Sequence, residues 1–101
     1  MTEITKTLEE RGNTHGDFSD NARVSQELKE VIADSVKYHL LNNVQKEALA
    51  MICHKMSRIV SGNPDEPDHW RDIAGYATLV EQRLIHTDEK PEGTITGMIT
   101  E

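Results

Sequence analysis

Aromatic side chains are scarce in this 101-residue sequence: one Trp, one Phe and two Tyr, within a hydrophobic share of only 36%. A chain this short buries a modest fraction of its surface, so a lone copy would have a thin core, and self-association is expected. Cysteine is scarcer still. Cys53 has no second thiol to pair with, which excludes an internal disulfide, a zinc knuckle or a redox pair. Its place in an apolar helical pattern suits a small buried hydrophobe. No apolar run is long enough to cross a bilayer, and MTEITKTLEE lacks the basic and apolar regions of a signal peptide. The expectation is a soluble, cytoplasmic protein with no membrane partner. Positive charge is also short: 11 Lys and Arg against 18 Asp and Glu leave −7. That argues against a general nucleic-acid binder, which gains its affinity by neutralising phosphates. It does not exclude a small anion gripped by a few convergent cations.

What is present is helical periodicity. Residues 2–10 make a short amphipathic helix with Ile4 and Leu8 on one face, stopped at Arg11-Gly12, where Gly suits a left-handed cap. NTHGDFSD, residues 13–20, is dense in turn formers and reads as a loop. Ser19 or Asp20 then caps a second helix over 20–41, with Val24, Leu28, Val31, Ser35 and Tyr38 as its buried stripe. Asn42 and Gln45 have capping-box spacing and open a third helix over 44–61, whose apolar face is Ala48, Ile52 and Ile59. Gly62-Asn63-Pro64 ends it. A fourth helix, capped by Asp65 or Asp68, runs over 67–86 with Trp70, Ile73, Ala74, Ala77 and Leu84 as its core stripe. Strand-like alternation is absent. The pattern predicts an all-α domain over 1–86, a small bundle of three main helices plus a short N-terminal one, followed by a flexible tail over 87–101.

The residues able to carry chemistry cluster around the third helix. Lys55 lies on its apolar side, where it either snorkels to the bundle edge or meets an anion. Arg58 follows one turn later, close enough for both cations to hold one phosphate; the competing reading pairs them with acids of a neighbouring helix. Asp68 and Asp72 share a face of the fourth helix. Carboxylates so placed suit Mg²⁺, and they equally suit the positive end of a helix or, for Asp72, a salt bridge to Lys55 or Arg58. Glu47, Met51, His54 and Arg58 form a stripe beside the apolar face, from which Glu47 and His54 could extend a metal site or simply face solvent. His69 reads as a surface or capping residue. Arg11 to Phe18 is rich for a linker: Gly12 and Gly16 free backbone amides for an anion, Arg11 and His15 add donors, and Asp17 lies beside them. The plainer reading is a turn with Phe18 plugged into the core.

Three motifs in order, ERGNTHGDF, EALAMICHKMSRIVSG and DHWRDIAGYATLV, resemble a group of small uncharacterised proteins of bacteriophages and prophages, over roughly residues 9–82. More distantly, a Lys/Arg helix, a turn and an Asp-x-x-x-Asp helix are similar to the all-α nucleoside triphosphate pyrophosphohydrolases of the MazG and dimeric dUTPase type. That resemblance implies an oligomeric bundle holding Mg²⁺ on carboxylates of facing helices and cleaving nucleotides between the α and β phosphates. Glu27 and Glu30 reproduce the first acidic pair of that superfamily, while Asp68 and Asp72 depart from the spacing of the second.

The expectation drawn from all this is a phage-type nucleotide-binding protein. Lys55, Arg58, Arg11, His15 and Asp17 would contact the ligand. In an enzymatic form Asp68, Asp72, Glu27 and Glu30 would hold Mg²⁺, with Asp72 and Glu47 at the reaction. The alternatives are a non-catalytic binder of a nucleotide signal and an acidic protein that occupies a host protein. The expected partners are a small nucleotide and further copies of the chain.

Overall fold

The computed structural model describes residues 2–88 of the chain, with side chains over 3–86, and within them there are four α-helices and no strand. They are α1 (Thr2–His15), α2 (Phe18–Ala33), α3 (Asn43–Ser61) and α4 (Pro67–Asp88), with one 3₁₀ turn (Tyr38–Leu40) between α2 and α3. The all-α bundle is as predicted. Of the tail expected over 87–101, residues 87 and 88 continue α4 and the rest lies outside the described residues.

The helices α2, α3 and α4 start where side chains can satisfy early amides. Asp17, rather than Ser19 or Asp20, caps α2 by accepting from the Ser19 amide at 3.0 Å. Asn42 and Gln45 form the predicted capping box, the Asn42 oxygen accepting from Gln45 N at 2.8 Å and the Gln45 oxygen from Asn42 N at 2.9 Å. Before α4, Asn63 accepts from Asp65 N at 3.0 Å, Glu66 accepts from Asp68 N at 3.2 Å, and the Trp70 indole donates to Pro64 O at 2.8 Å. Pro67 then opens the helix, where a missing N–H costs nothing.

Two predicted helix ends are corrected. The first helix runs through Gly12 to His15, and the left-handed glycine is Gly16, φ +89°. The second stops at Ala33, not at 41. Asp34 and Ser35 are residues whose side chains compete for backbone groups, and here the Ser35 hydroxyl donates back to Val31 O at 2.9 Å while its amide turns to Ile32 O. Consequently Ser35 and Tyr38 do not prolong the α2 stripe, and Val36 and Leu40 lie exposed.

Helix α3 is the centre, packed between α2 and α4, with α1 laid across α2 and α3. Ala48, Cys53 and Ile59 are its buried apolar residues; burial pushes the Cys53 thiol pKa up. Asn21, Ser25, Ser57 and His69 are buried beside them, so much of this thin core is polar. On α4 the buried side is rotated from the predicted stripe. His69, Ile73, Tyr76 and Val80 are buried or half-buried, whereas Trp70, Ala74, Ala77 and Leu84 are exposed. Large apolar side chains also stay exposed on α1, Ile4 and Leu8 among them.

Backbone contact sets where α1 ends. A Cβ on Gly62 would lie 2.5 Å from His15 C and 2.6 Å from Gly16 N and Thr14 O, and a Cβ on Gly16 would collide with the Ser61 carbonyl. Only glycines allow this approach. Thr14 O then accepts from the Asn63 amide at 3.0 Å and from His69 Nε2 at 3.1 Å. Because a carbonyl only accepts, His69 carries its proton on Nε2. The last turn of α1 is thereby fastened to the start of α4.

Candidate anion-binding cleft

Fastening α1 in this way turns its C-terminal turn toward α3. Arg11, Gly12 and His15 from α1, Gly16 and Asp17 from the junction, Phe18 and Asn21 from α2, and His54 and Arg58 from α3 line one cleft of about 390 Å³, with Leu8 at its edge. That volume falls within the roughly 300–1,000 Å³ of small-molecule sites. Helical spacing places the α3 contribution: His54 and Arg58 are four apart and share a face.

The cleft is cationic. Burial lowers the His15 pKa below its usual value, and the charges of Arg58, His69, Arg11 and Lys55 lower it further. Burial, then Arg58, Lys29 and Lys55, do the same to His54. Arg58 itself is lowered by burial and by Arg11, against a smaller opposing pull from Asp72. Both histidines are therefore biased to the neutral form because protonation would add charge to a site that already repels it. Neither Arg11 nor Arg58 makes an ion pair among the described residues. The one carboxylate lining the cleft, Asp17, is held below the usual range by the hydroxyl of Ser19 and by backbone amides, so its charge is spent on the α2 cap. His15 Nδ1 and Asn21 Oδ1 are buried without a hydrogen-bond partner among the described residues. His15 and His69 rings lie 5.2 Å apart, tilted by 51°.

A domain family whose description reads "Domain of unknown function (DUF6378)" matches residues 1–84 of the chain. The chain belongs to this family. No curated protein and no solved structure matches it. The three motifs of the DUF6378 chain fall at the cleft and its supports: the first supplies Arg11 to Phe18, the second supplies His54 and Arg58, and the third contains His69, which holds α1 in place.

Of the expected ligand contacts, Arg11, His15, Asp17 and Arg58 are brought together. Lys55 is not with them. Its ammonium lies 2.9 Å from Asp72, with the side chain only 12% exposed, so it turns to α4 and does not share one anion with Arg58. The expected metal ligands are not brought together either. Asp72 is bound to Lys55, which lowers its pKa. Asp68 pairs with Arg71, and Glu27 pairs with Arg23 at 3.3 Å. Glu30 and Glu47 are exposed. Glu27 and Glu30 lie on α2 and the two Asp on α4, helices that sit on either side of α3. Among the described residues no three His, Cys, Asp or Glu side chains group as a metal site. Within one chain these residues do not fit Mg²⁺.

Two participants carried little sequence signal for an anion site, and a third carried one that pointed elsewhere. Asn21 is a polar residue in a helix, like many that face solvent. His54 shares a helix face with Arg58, yet only the approach of α1 makes that face a wall. Phe18 did carry a signal, as an aromatic in a polar stretch, but it is 80% exposed at the cleft rather than plugged into the core.

Proposed function

We propose that this chain binds a small phosphate-bearing ligand, a nucleotide, in the cleft between α1, α2 and α3, with Arg11 and Arg58 taking the phosphate. The observation that carries this reading is the pair of guanidiniums facing one concave site without a carboxylate partner among the described residues. Guanidiniums match phosphate oxygens in geometry as well as charge. Phe18 offers an exposed ring on which a base can stack, and His15 and His54 can add donors once an anion offsets the local charge. Binding rather than hydrolysis is preferred because the acidic residues are tied to Lys55, Arg71 and Arg23 outside the cleft. In the bacteriophage setting that the motifs suggest, holding a nucleotide without turnover would remove a host signal.

A homo-oligomer is part of the same proposal. Trp70, Ala74, Ala77 and Leu84 form a stripe with the spacing of a buried helix face and are bare in the single chain, and burying apolar surface drives association.

The test is thermal denaturation with pyrophosphate, nucleoside mono- and triphosphates and cyclic dinucleotides, each in Mg²⁺ and in EDTA. Stabilisation indifferent to EDTA, without product, is expected, because a ligand bound only to the folded state raises its stability. Stabilisation that requires Mg²⁺ and is followed by pyrophosphate release would replace this reading with the pyrophosphohydrolase one. Light scattering at micromolar concentration should give at least twice the 11.4 kDa chain mass.

A further inference from the structure

Nothing within the single chain requires a glycine at position 12. Gly12 lies inside α1, one turn before its end, and the left-handed residue at that end is Gly16. Glycine weakens a helix interior relative to alanine. Close packing does not call for it either. A Cβ on Gly12 would meet nothing within 4 Å, whereas on Gly16 or Gly62 it would strike backbone. What the missing side chain leaves is space, and helical geometry says where. Leu8, Arg11, Gly12 and His15 stand at i, i+3, i+4 and i+7, one face of α1, and all four line the cleft. The vacated space is cleft space.

We propose that Gly12 determines the specificity of the cleft by admitting a flat aromatic ring, the base of a nucleotide, against the bare backbone of α1. The proposal rests on the nucleotide reading and deepens it by placing the base. The polar groups of Gly12 are already used: its carbonyl accepts from Gly16 N at 2.8 Å, and its amide belongs to the ladder of α1. The part of the ligand that passes here therefore receives contact and no hydrogen bond, which suits a ring face. The exposed ring of Phe18 lines the same cleft and adds stacking surface. A ring on bare backbone lies about 3.5–4 Å from the nearest carbon. A methyl on Gly12 would reach about 1.5 Å into that gap, and the ring would have to lift away. A phosphate without a ring would not feel the change.

Isothermal titration of the full chain with adenosine monophosphate, ribose 5-phosphate and pyrophosphate separates base, sugar and anion. Wild type should bind the nucleotide more tightly than ribose 5-phosphate. Gly12→Ala should weaken the nucleotide about tenfold, as overpacking does, and the other two less than about twofold. Its Tm should equal or exceed that of wild type, so the loss cannot come from the fold. Gly75→Ala makes the same exchange in open space on α4 and should leave all three affinities unchanged. Nucleotide affinity unchanged in Gly12→Ala, or equal to that of ribose 5-phosphate in wild type, would overturn the proposal and leave the anion reading intact. Equal weakening of ribose 5-phosphate would put the sugar at Gly12 and overturn the placement of the base. Equal weakening of pyrophosphate, or a lowered Tm, would make Gly12 a support of the site and overturn its role in selecting a ring. Failure of all three ligands to bind wild type would overturn the anion reading and this proposal with it.

Discussion

Replacing Gly62 by alanine tests whether the backbone contact between the ends of α1 and α3 is what builds the cleft. The new methyl would sit 2.5–2.6 Å from three backbone atoms of residues 14–16, where ordinary contact is 3.4–4 Å. The last turn of α1 must therefore retreat by roughly 1 Å, and overpacking of that kind costs about 1–3 kcal/mol. The retreat also stretches the two hydrogen bonds that end on Thr14 O, now 3.0 and 3.1 Å, and a weakened pair costs about 1 kcal/mol more. Alanine restricts the unfolded chain and returns about 0.4–1 kcal/mol. The net loss is about 2–3 kcal/mol, which for a domain of this size lowers Tm by roughly 10–20 °C. Gly75→Ala is the matched control. A Cβ there meets nothing within 4 Å, and Gly75 lies inside α4, so it should stabilise by about 0.5–1 kcal/mol. Urea or thermal unfolding followed by circular dichroism measures both. A Gly62→Ala protein as stable as wild type, or as stable as Gly75→Ala, would refute the contact and the placement of Arg11 and His15 that depends on it.

Other expectations follow from the same geometry. His69→Ala removes a buried side chain and the donor to Thr14 O, and should cost about 2–4 kcal/mol in chemical denaturation; His69→Gln, which keeps an N–H donor, should recover part of that. Asp72→Asn leaves the mostly buried Lys55 ammonium without its carboxylate and should lower Tm clearly, whereas Asp68→Asn, whose pair with Arg71 is exposed, should stay within about 1 kcal/mol of wild type. Acid should act in two steps. The folded-state pKa values of His15 and His54 are lowered, so the unfolded chain binds protons first; stability is full above the usual histidine value of 6.5 and falls as pH drops through it. Asp17 and Asp72 are lowered from 3.8, so their contribution is present above that value and is lost below it. An anion bound beside the two histidines reverses the first step, because it favours their charged form; phosphate affinity should rise between pH 7.5 and 5.5, and calorimetry in buffers of different ionisation enthalpy should show proton uptake.

The sequence was most informative where a local rule decides structure. The Asn42–Gln45 box and the span of α3 follow from capping chemistry and three- and four-residue spacing, and both are present; α4 starts at Pro67 as expected, but Glu66 rather than Asp65 or Asp68 accepts from its early amide. Contests between neighbouring signals were harder to read. Gly12 and Gly16 are both credible helix ends, and the choice falls on Gly16 because Ser61 and Gly62 pack against it, some 45 residues downstream. The rotation of α4 has a related cause. Its buried side is led by His69, whose reason for burial is the carbonyl of Thr14, and no hydrophobicity pattern assigns a histidine to a core. The site was half legible: the loop from Arg11 to Asp17 and the cation Arg58 stood out by type and spacing, while the separation of Lys55 from Arg58 depends on Asp72 across the α3–α4 seam.

The central claim is that Arg11, the Gly16 junction and Arg58 form one anion site, and a nitrogen-15 NMR titration of the full chain with adenosine monophosphate in EDTA tests it most directly. The account predicts saturable shifts concentrated on the amides of Arg11, Gly12, Gly16, Asn21, His54 and Arg58, abolished in Arg58→Ala while the rest of the spectrum is retained. No shifts, or shifts gathered on the far side of α4 between Arg71 and Gln82, would contradict it.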